Sequence, residues 1–404
     1  MNPSPQPQPL DPETLAQLRA WEDEHDSGVY AKRDILLVQG RGTRVWDAEG
    51  REYLDCVGGH GVTVVGHSHP RVVAALHEQA QRLMTCPGSF YNDTRARLLA
   101  RLGTLVPGLR RVFLANSGTE AVEAAIKFAR YSTGRPNIVA AMRGFHGRTL
   151  GALSATWKKE YRAPFEPLVP GFMHAPFNNL ARFEALVDDR TAAILVEVVQ
   201  GEGGIHVATP EFLHGLQRLA RERGALLIVD EIQSGMGRTG RWFAFQHFDL
   251  EPDMVTLAKG LGGGVPIGAV LIGERVKPLH PGLHGSTFGG NPIAAAAALA
   301  VLDILEDEGL IENAARVGAY LLEGLRAIPS PLIREVRGLG LMIGIELRRK
   351  GAPFLKRLAH EEGILALPAG MNVLRLLPAL SLSQDEADRI LAAMARVLAA
   401  VPAS

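Results

Sequence analysis

The sequence predicts an α/β protein with a large domain built on a mostly parallel sheet, followed by a smaller α+β domain. Between Pro70 and Pro292, short runs of Val, Ile and Leu alternate with amphipathic segments of helical periodicity. Nearly unbroken apolar runs are typical of strands buried on both faces, and strands that alternate with helices favour a parallel sheet. After Pro292 a long helical stretch precedes short strands and further helices, so the second domain is expected there.

The composition excludes several classes of protein. The 404 residues include 43 Lys and Arg and 43 Asp and Glu, so the formal net charge is zero, unlike that of a strongly basic nucleic-acid binder. Hydrophobic residues make up 47% of the chain, which suits a large core. The run Ala294–Ala300 is far shorter than the roughly 20 apolar residues that span a bilayer, and no basic-then-apolar targeting signal is recognised.

The cysteines and histidines give no sign of a metal site. Cys56 and Cys86 are the only cysteines and lack metal-ligand spacing, so neither a disulfide framework nor a cysteine metal site is expected. His67 and His69 have no further ligands nearby and are interpreted as turn and packing residues. We therefore expect a cytoplasmic enzyme that holds no metal and binds neither nucleic acid nor membrane.

Four segments are expected along the chain. Residues 1–12, rich in Pro and Gln, predict a disordered tail. Residues 13–65 form an N-terminal segment with a β-hairpin, which is assigned to the small domain. Residues 66–292 form the large domain, and residues 293–404 form a linking helix and the rest of the small domain.

Individual elements follow from periodicity and turn residues. A helix is predicted over Glu13–Glu24, and the strands Arg44–Asp47 and Arg51–Cys56 form a hairpin around a turn that contains Gly50. Pro70 begins a helix, because proline suits the first turn. The predicted strands of the large domain are Val112–Ala115, Ile138–Met142, Ala193–Val199, Leu226–Val229, Met254–Leu257 and Val270–Ile272, with helices over Glu120–Tyr131 and Pro210–Arg223. The predicted C-terminal elements are helices Ile293–Asp307 and Asp385–Leu398 and strands Ile333–Arg337, Met342–Leu347 and Val373–Leu377.

Three predicted strand ends carry residues suited to chemistry. The segment 116–120, Asn-Ser-Gly-Thr-Glu, precedes a helix, where free N–H groups and two hydroxyls suit an anion; a simple N-cap by Ser117 or Thr119 also explains it. Asp230 ends an apolar strand, where a carboxylate either caps the next turn or faces a ligand. Lys259 follows another apolar strand, in a glycine-rich turn. It is either a nucleophilic amine in a poorly solvated place or an ordinary lysine whose amine reaches solvent.

Together these three features have one economical explanation, which is pyridoxal phosphate. Its phosphate suits the helix start, its pyridinium nitrogen pairs with an aspartate, and its aldehyde forms an imine with a lysine.

A series of motifs in the order of one enzyme family spans residues 66–292. They are Gly66-His67-Ser68-His69-Pro70, Asn116-Ser117-Gly118-Thr119-Glu120-Ala121, Gly144-Phe145-His146-Gly147-Arg148-Thr149, Gln200-Gly201-Glu202-Gly203-Gly204, Asp230-Glu231-Ile232-Gln233-Ser234-Gly235 with Gly237-Arg238-Thr239-Gly240, Ala258-Lys259, and Ser286-Thr287-Phe288-Gly289-Gly290-Asn291-Pro292. On these motifs the chain resembles the class III aminotransferases, the group of ornithine, acetylornithine and 4-aminobutyrate aminotransferases. The resemblance extends to nearly the whole chain. It implies a fold type I transferase dependent on pyridoxal 5'-phosphate, and a homodimer with active sites at its interface.

The resemblance implies roles around the cofactor. Lys259 would hold the cofactor covalently and then move the substrate α-proton, while Asp230 would keep the pyridine nitrogen protonated. Gln233 would bond the ring hydroxyl, and Phe145 would stack on the ring. The remaining implied contacts are Ser117, Gly118 and Thr119 at the phosphate, Thr287 of the partner subunit at the same phosphate, and Glu231 and Ile232 beside Asp230.

The resemblance also implies substrate contacts. Arg375 matches the arginine that grips the α-carboxylate of glutamate, and Glu202 matches the glutamate that neutralises this arginine when the other substrate is bound. Arg148 matches the arginine at the carboxylate or acyl end of acetylornithine-like substrates, and Ser286 is expected to contact substrate. His60 departs from the family pattern, and we expect it either to contact substrate or to pack. Arg148 and Arg375 could instead form structural ion pairs.

Further stretches are similar to a subgroup from bacterial lysine biosynthesis, whose substrate is aminoadipate semialdehyde attached to a small amino-group carrier protein. These stretches are Glu24–Tyr30, Ala140–Phe145, Ser154–Trp157, Ile328–Pro331 and Ile333–Gly338. They lie mostly outside the predicted site, so they indicate lineage more than specificity. Lys158, Lys159 and Arg162 are either a basic rim that attracts an acidic carrier or a solvated charge run. Acetylornithine or another ω-amino acid is the alternative substrate.

Three other classes of protein fit less well. A nicotinamide oxidoreductase needs Gly-x-Gly-x-x-Gly followed by a ribose-binding carboxylate, which the glycines after Lys259 do not provide. A racemase or aminomutase of the same fold would need no separate half-reaction with glutamate. A scaffold without chemistry would have little need for Lys259, Asp230 and Arg375 together. The sequence therefore predicts an aminotransferase that uses glutamate as donor and an ω-semialdehyde as acceptor.

Overall fold

Strands and helices alternate through the computed structural model, which describes residues 7–399. Within that range the strands are β1 Leu37–Arg41, β2 Arg44–Asp47, β3 Glu52–Asp55, β4 Arg111–Ala115, β5 Asn137–Ala141, β6 Phe172–Ala175, β7 Thr191–Val196, β8 Val199–Gln200, β9 His206–Val207, β10 Leu226–Asp230, β11 Met254–Leu257, β12 Gly268–Ile272, β13 Ile333–Leu339, β14 Met342–Leu347, β15 Ile364–Leu365, β16 Leu367–Pro368 and β17 Val373–Leu376. The helices are α1 Pro12–His25, α2 Gly58–Gly61, α3 Pro70–Arg82, α4 Asp93–Leu105, α5 Gly118–Thr133, α6 Leu150–Ala155, α7 Lys159–Arg162, α8 Leu180–Leu186, α9 Pro210–Glu222, α10 Pro292–Asp307, α11 Leu310–Arg326, α12 Ala352–Glu362 and α13 Gln384–Val397.

A seven-stranded sheet in the order β4-β12-β11-β10-β7-β5-β6 forms the centre of the large domain. Strand β12 runs antiparallel to both of its neighbours, and the other pairs are parallel. The predicted α/β fold with a mostly parallel mixed sheet is therefore confirmed. Strand β6 is not among the predicted strands. It lies at the edge of the sheet and only its last residue is buried, so its sequence lacks a continuous apolar run.

The continuous apolar runs arise because helices cover both faces of this sheet. On β7, Ala193 and Leu195 join the cluster that contains α5. Ile194 and Val196 belong to the other cluster, which contains α9. Alternation along the strand thus buries every side chain of β7. The predicted strand over residues 193–199 is too long at its end, because β7 ends at Val196 and the polar Glu197 lies outside the strand.

Cap residues set the helix starts. The Ser117 hydroxyl accepts the N–H of Glu120 and begins α5, so the N-cap interpretation of this residue is correct. Pro70 begins α3 as predicted, with His69 as its N-cap. Asn291 caps α10, whose alanines are packed in the protein interior. No helix within residues 7–399 is long and apolar enough to cross a bilayer.

The N-terminal segment shares a sheet with the C-terminal part of the chain. The predicted hairpin is strands β2 and β3, and β3 pairs in parallel with β15. Strands β13, β14, β17 and β16 form a separate antiparallel sheet. The division of the chain at residues 66 and 293 stays a prediction.

The predicted tail, residues 1–12, differs from the structure at its end. Residues 1–6 lie outside the described residues. Leu10 donates its N–H to the Ala48 carbonyl at 2.8 Å, and α1 begins at Pro12 behind the N-cap Asp11. The stretch after residue 6 is therefore held against the hairpin, because it offers an apolar side chain and a helix cap.

Gly268 tests how the sheet supports the start of α5. A Cβ added there would collide with the Ser117 carbonyl, which belongs to backbone that cannot swing aside. Gly268→Ala should lower the free energy of unfolding by about 1–3 kcal/mol, as overpacking typically does. Chemical denaturation would measure the change. Gly88→Ala is the control, since that exposed glycine has no atom near its Cβ position; equal stability of the two variants would contradict the prediction.

Candidate active site

A cavity of about 450 Å³ opens at the carboxyl ends of the central strands, where ligands sit in open α/β sheets. It collects residues that are distant in sequence. Those that bear on chemistry are Ser117, Gly118, Thr119, Phe145, His146, Arg148, Glu197, Glu202, Asp230, Ile232, Gln233 and Lys259. Most of the predicted site residues are therefore brought together in one place.

The start of α5 forms one wall of this cavity. The first N–H groups of a helix have no carbonyl of the same helix to bond, so those of Gly118 and Thr119 can serve an anion. A Cβ on Gly118 would lie 2.8 Å from Ile232 Cδ1, so glycine permits the close approach of these two segments. The Thr119 hydroxyl lies 2.7 Å from that of Thr149. This wall suits a phosphate group.

Asp230 projects from the end of β10 and is held by His146. One carboxylate oxygen lies 2.8 Å from His146 Nδ1, and the other accepts the N–H of Ile232 at 3.1 Å. Burial acts to lower the pKa of His146, but the hydrogen bond to Asp230 and the charges of Asp230 and Glu197 raise it overall. His146 and the backbone N–H of Ile232 thus hold the Asp230 carboxylate in one orientation.

Lys259 follows β11 and carries unusual backbone strain. Its φ is +41°, in the left-handed region that favours glycine, and such strain is concentrated at functional sites. Desolvation lowers the pKa of its amine; the nearby Arg375 charge acts in the same direction, and Glu202 and Asp230 oppose it. A lysine with a lowered pKa has more neutral amine to act as nucleophile or base.

Arg375, on β17, forms an ion pair with Glu202. Its side chain is only 1% exposed and donates to Glu202 Oε1 at 2.6 Å and to Gln233 Oε1 at 3.1 Å. Burial acts to raise the pKa of Glu202, but the charge and hydrogen bond of Arg375 bring it below its usual value. The Arg375 Nε is buried without a partner among the described residues, so a donor remains for a ligand. Glu202 lines the cavity, so Arg375 is held beside the cavity through its anionic partner.

Arg148 lies at the outer side of the cavity against two aromatic rings. Its guanidinium carbon is 3.6 Å from the ring centroid of Tyr161 and 5.6 Å from that of Phe145. Lys158 also contacts the Tyr161 ring, with its amine 4.6 Å from the centroid. Arg148 therefore forms no structural ion pair with an acidic residue in the described structure.

Some predicted site residues lie elsewhere. Glu231, a predicted cofactor contact, does not line the cavity, and its carboxylate accepts the N–H groups of Ala244 and Phe245. His60 lines a neighbouring cavity of about 630 Å³ with His67. Burial of the His60 imidazole and the nearby Arg375 charge both lower its pKa.

Ser286 and Thr287 lie in the loop before α10. The Ser286 hydroxyl accepts a hydrogen bond from the Asn116 amide at 3.0 Å, beside the start of α5. Thr287 is exposed and does not line the cavity of its own chain. Its predicted contact with the phosphate of a partner subunit stays a prediction.

Two residues of the site escaped sequence reasoning. His146 lies within one of the family motifs, and a titratable histidine in that motif was the signal that could have identified it. Glu197 interrupts a predicted strand, and a buried carboxylate in an apolar run was the signal there. Burial raises the pKa of Glu197 to about 7. His67, by contrast, bonds Asp55 at 2.7 Å, and the described residues hold no group of three or more His, Cys, Asp or Glu that suits a metal.

The residues fit pyridoxal phosphate. A helix start for the phosphate, a fixed carboxylate for the ring nitrogen, an aromatic ring and a lysine amine line one cavity. The close contact between Gly118 and Ile232 leaves the wall without a side chain where the phosphate would bind.

Comparison with known proteins gives one family. The model "Aminotransferase class-III" matches residues 29–398. The LysW-aminoadipate semialdehyde transaminase of Deinococcus radiodurans is 51% identical over 94% of this chain and 89% of its own length. The acetylornithine aminotransferase of Methanopyrus kandleri is 48% identical over 94% of this chain and 98% of its own length. The crystal structure of Toxoplasma gondii ornithine aminotransferase superposes with a TM-score of 0.91 at 35% identity, covering 96% and 95% of the two chains.

The lowered pKa of Lys259 predicts a distinct pH response. Reductive methylation with formaldehyde labels only neutral amines, so Lys259 of the cofactor-free protein should reach half-maximal labelling at a lower pH than exposed Lys350. Peptide mass spectrometry over a pH series would measure both sites, and Lys259→Ala would confirm the peptide assignment. Coincident midpoints for the two lysines would contradict the prediction.

Proposed function

The chain belongs to the class III aminotransferases, which use pyridoxal 5'-phosphate, and we propose that it moves an amino group from glutamate to an ω-semialdehyde. The observation that carries this proposal is the ion pair between Arg375 and Glu202. Glutamate brings an α-carboxylate to the reacting carbon, whereas an ω-amine brings a CH₂ group without charge. An arginine whose anionic partner can move away accommodates both the α-carboxylate of glutamate and the uncharged CH₂ group of an ω-amine.

The residues of the cavity divide the chemistry among them. When bound, the cofactor supplies an electron sink for the carbon next to the reacting nitrogen. Asp230, held by His146, keeps the ring nitrogen protonated, and Phe145 covers one side of the cavity. The Lys259 amine removes the proton from the reacting carbon and returns it, since a neutral amine is a competent base. The start of α5 holds the phosphate.

Arg375 and Glu202 alternate between two arrangements in this proposal. Glutamate replaces Glu202 at Arg375, because a carboxylate pairs with guanidinium in a fork geometry. For the ω-substrate, Glu202 returns to Arg375 and neutralises it, so that an uncharged methylene can lie beside it. The other end of the ω-substrate carries a carboxylate or acyl group, for which Arg148 lies at the outer side of the cavity.

We propose carrier-linked L-2-aminoadipate 6-semialdehyde as the acceptor, and carrier-linked lysine as the product. The 51% identity to the Deinococcus radiodurans transaminase supports this choice. Lys158 and Lys159 are exposed next to Tyr161, which contacts Arg148, so an acidic carrier would approach positive charge beside the cavity. Acetylglutamate semialdehyde, as in arginine biosynthesis, is the second candidate because of the 48% identity to an acetylornithine aminotransferase.

We also propose a homodimer in the cytoplasm. Phe90, Tyr91 and Phe288 are large apolar side chains that are more than half exposed, and such surface is typical of an interface. Thr287, next to Phe288, would reach the phosphate of the partner subunit. Cys56 and Cys86 are both free thiols, which suits a reducing compartment.

The ion pair predicts opposite effects for its two members. Arg375→Ala should raise the KM for glutamate roughly 10-fold to 100-fold, the loss expected for a charge-assisted hydrogen bond. Glu202→Gln should slow the half-reaction with an ω-amine relative to that with glutamate, because Arg375 then stays charged and unpaired. Stopped-flow absorbance of the bound cofactor would measure each half-reaction.

Arg334→Ala is the matched control for these variants. Arg334 lies on the same C-terminal sheet and pairs with Glu346, but it is 64% exposed and outside the cavity. It should leave both half-reactions as in the unmodified protein. An unchanged glutamate KM in Arg375→Ala would show that another residue holds the carboxylate.

A competition between acceptors tests the proposed substrate. Enzyme converted to its amino form with glutamate would receive equal concentrations of carrier-linked aminoadipate semialdehyde or free acetylglutamate semialdehyde. We expect the carrier-linked aldehyde to react at least about 10-fold faster at low salt, with an advantage that shrinks as salt screens exposed charge. Lys158→Glu with Lys159→Glu should slow only the carrier-linked reaction. Equal or faster reaction of the free aldehyde would favour the arginine pathway.

A further inference from the structure

Glu197 stands at the junction of the two loops that line the cavity. It follows β7, which lies between β10 and β5 in the sheet. The residue is only 6% exposed, and its side chain borders the same cavity as Lys259. The proposed chemistry gives it no direct part, because no step requires a second acid beside Asp230.

Each carboxylate oxygen of Glu197 accepts one backbone N–H. Oε1 accepts from Phe145 at 2.9 Å, in the loop that follows β5. Oε2 accepts from Gly201 at 2.9 Å, in the turn that carries Glu202. One side chain thus connects the segment that covers the cavity with the segment that bears the partner of Arg375.

The turn that bears Glu202 is held at both ends. Gly201 has no room for a side chain, because a Cβ would collide with the Gln233 amide, which itself contacts Arg375. At the other end, Arg337 donates from Nε to the Gly204 carbonyl at 2.9 Å. The backbone on both sides of Glu202 is therefore held by side chains from other segments.

We propose that Glu197 is a positioning residue that fixes the Phe145 loop and the Glu202 turn relative to each other. Through these two hydrogen bonds it sets both the retention of the cofactor and the discrimination between glutamate and an ω-amine. The second part rests on the proposed function, since it presumes glutamate as donor.

A carboxylate is the side chain that this position requires. Two backbone donors approach it from different loops, and each oxygen of the carboxyl group accepts from one of them. In Glu197→Gln, one acceptor becomes an NH₂ group that faces a backbone N–H, so one of the two loops loses its anchor. Small displacements of groups at a reacting centre cost up to about 100-fold in rate.

The test compares Glu197→Gln with Asp253→Asn in the holoenzyme. Asp253 is also a buried carboxylate that accepts a backbone N–H, from Leu227 at 2.7 Å, but it lies at the start of β11 and outside the cavity. Two quantities are measured for each variant. One is the rate of cofactor loss on dilution, followed by absorbance, and the other is the ratio of the rate constants for glutamate and ω-amine half-reactions.

Glu197→Gln should speed cofactor loss about 10-fold and lower the ω-amine rate relative to glutamate at least about 5-fold, as expected for misplaced groups at a reacting centre. Asp253→Asn should change the melting temperature without altering either quantity. If Glu197→Gln melts at a lower temperature but keeps both quantities unchanged, its role is structural only and the proposal is overturned.

A second variant covers the case in which Glu197→Gln does not fold. Glu197→Asp keeps the charge but is one methylene shorter, so it can reach only one of the two N–H groups and should alter one quantity alone. Unchanged values of both quantities would overturn the proposal. If the unmodified enzyme does not react with glutamate, the proposed function fails, while cofactor loss still tests the anchoring of the Phe145 loop.

Discussion

Arg375 is enclosed by protein with 1% of its side chain exposed, and a cation in such a place is costly unless an anion accompanies it. Glu202 is that anion, and much of the surrounding structure serves to place it. Gln233 also accepts a hydrogen bond from Arg375, and Gly201 leaves room for Gln233. Glu197 accepts the N–H of Gly201 in the turn that carries Glu202. In the proposed function, the α-carboxylate of glutamate takes the place of Glu202, so that Arg375 keeps an anionic partner.

The other charged groups of the cavity also need partners of opposite charge, and the order of the strands in the sheet brings these groups close together. Asp230 and Thr256 are neighbours in the parallel pair β10–β11, so Lys259, three residues further on, opens at the same edge as Asp230. Strand β7, on the other side of β10, ends where Glu197 meets both active-site loops. The ends of three neighbouring strands thus bring Asp230, Lys259 and Glu197 together from distant parts of the chain.

The predictable part of this structure is the part that local pattern determines. Apolar runs locate the strands, and Ser117, Pro70 and Asn291 locate helix starts, because period and capping are properties of short segments. The family resemblance indicated Lys259, Asp230, Arg375 and Glu202. Local pattern does not give the direction of a side chain at a strand end. Asp230 and Glu231 are adjacent carboxylates, yet one faces the cavity and the other anchors Ala244 and Phe245.

Long-range pairings set the remaining features. The parallel pairing of β3 with β15 joins segments about 310 residues apart, and no turn residue signals it. The role of His146 likewise depends on Asp230, which the chain reaches only after two further strands of the sheet. Sequence showed the residue types, and the fold decided which of them are partners.

In the proposed function, substrate choice depends on groups that lie away from the reacting centre. The two proposed acceptors carry the same terminal aldehyde on a methylene chain, so the residues around Lys259 and Asp230 have no basis to distinguish them. In the proposed function, discrimination falls to Arg148 and to the exposed Lys158 and Lys159. The Tyr161 ring contacts both Arg148 and Lys158. Exposed charges act mainly on the rate of encounter and leave the later chemistry unchanged. In the proposed function, the carrier is therefore selected as it approaches the cavity, before the residues around the cofactor act.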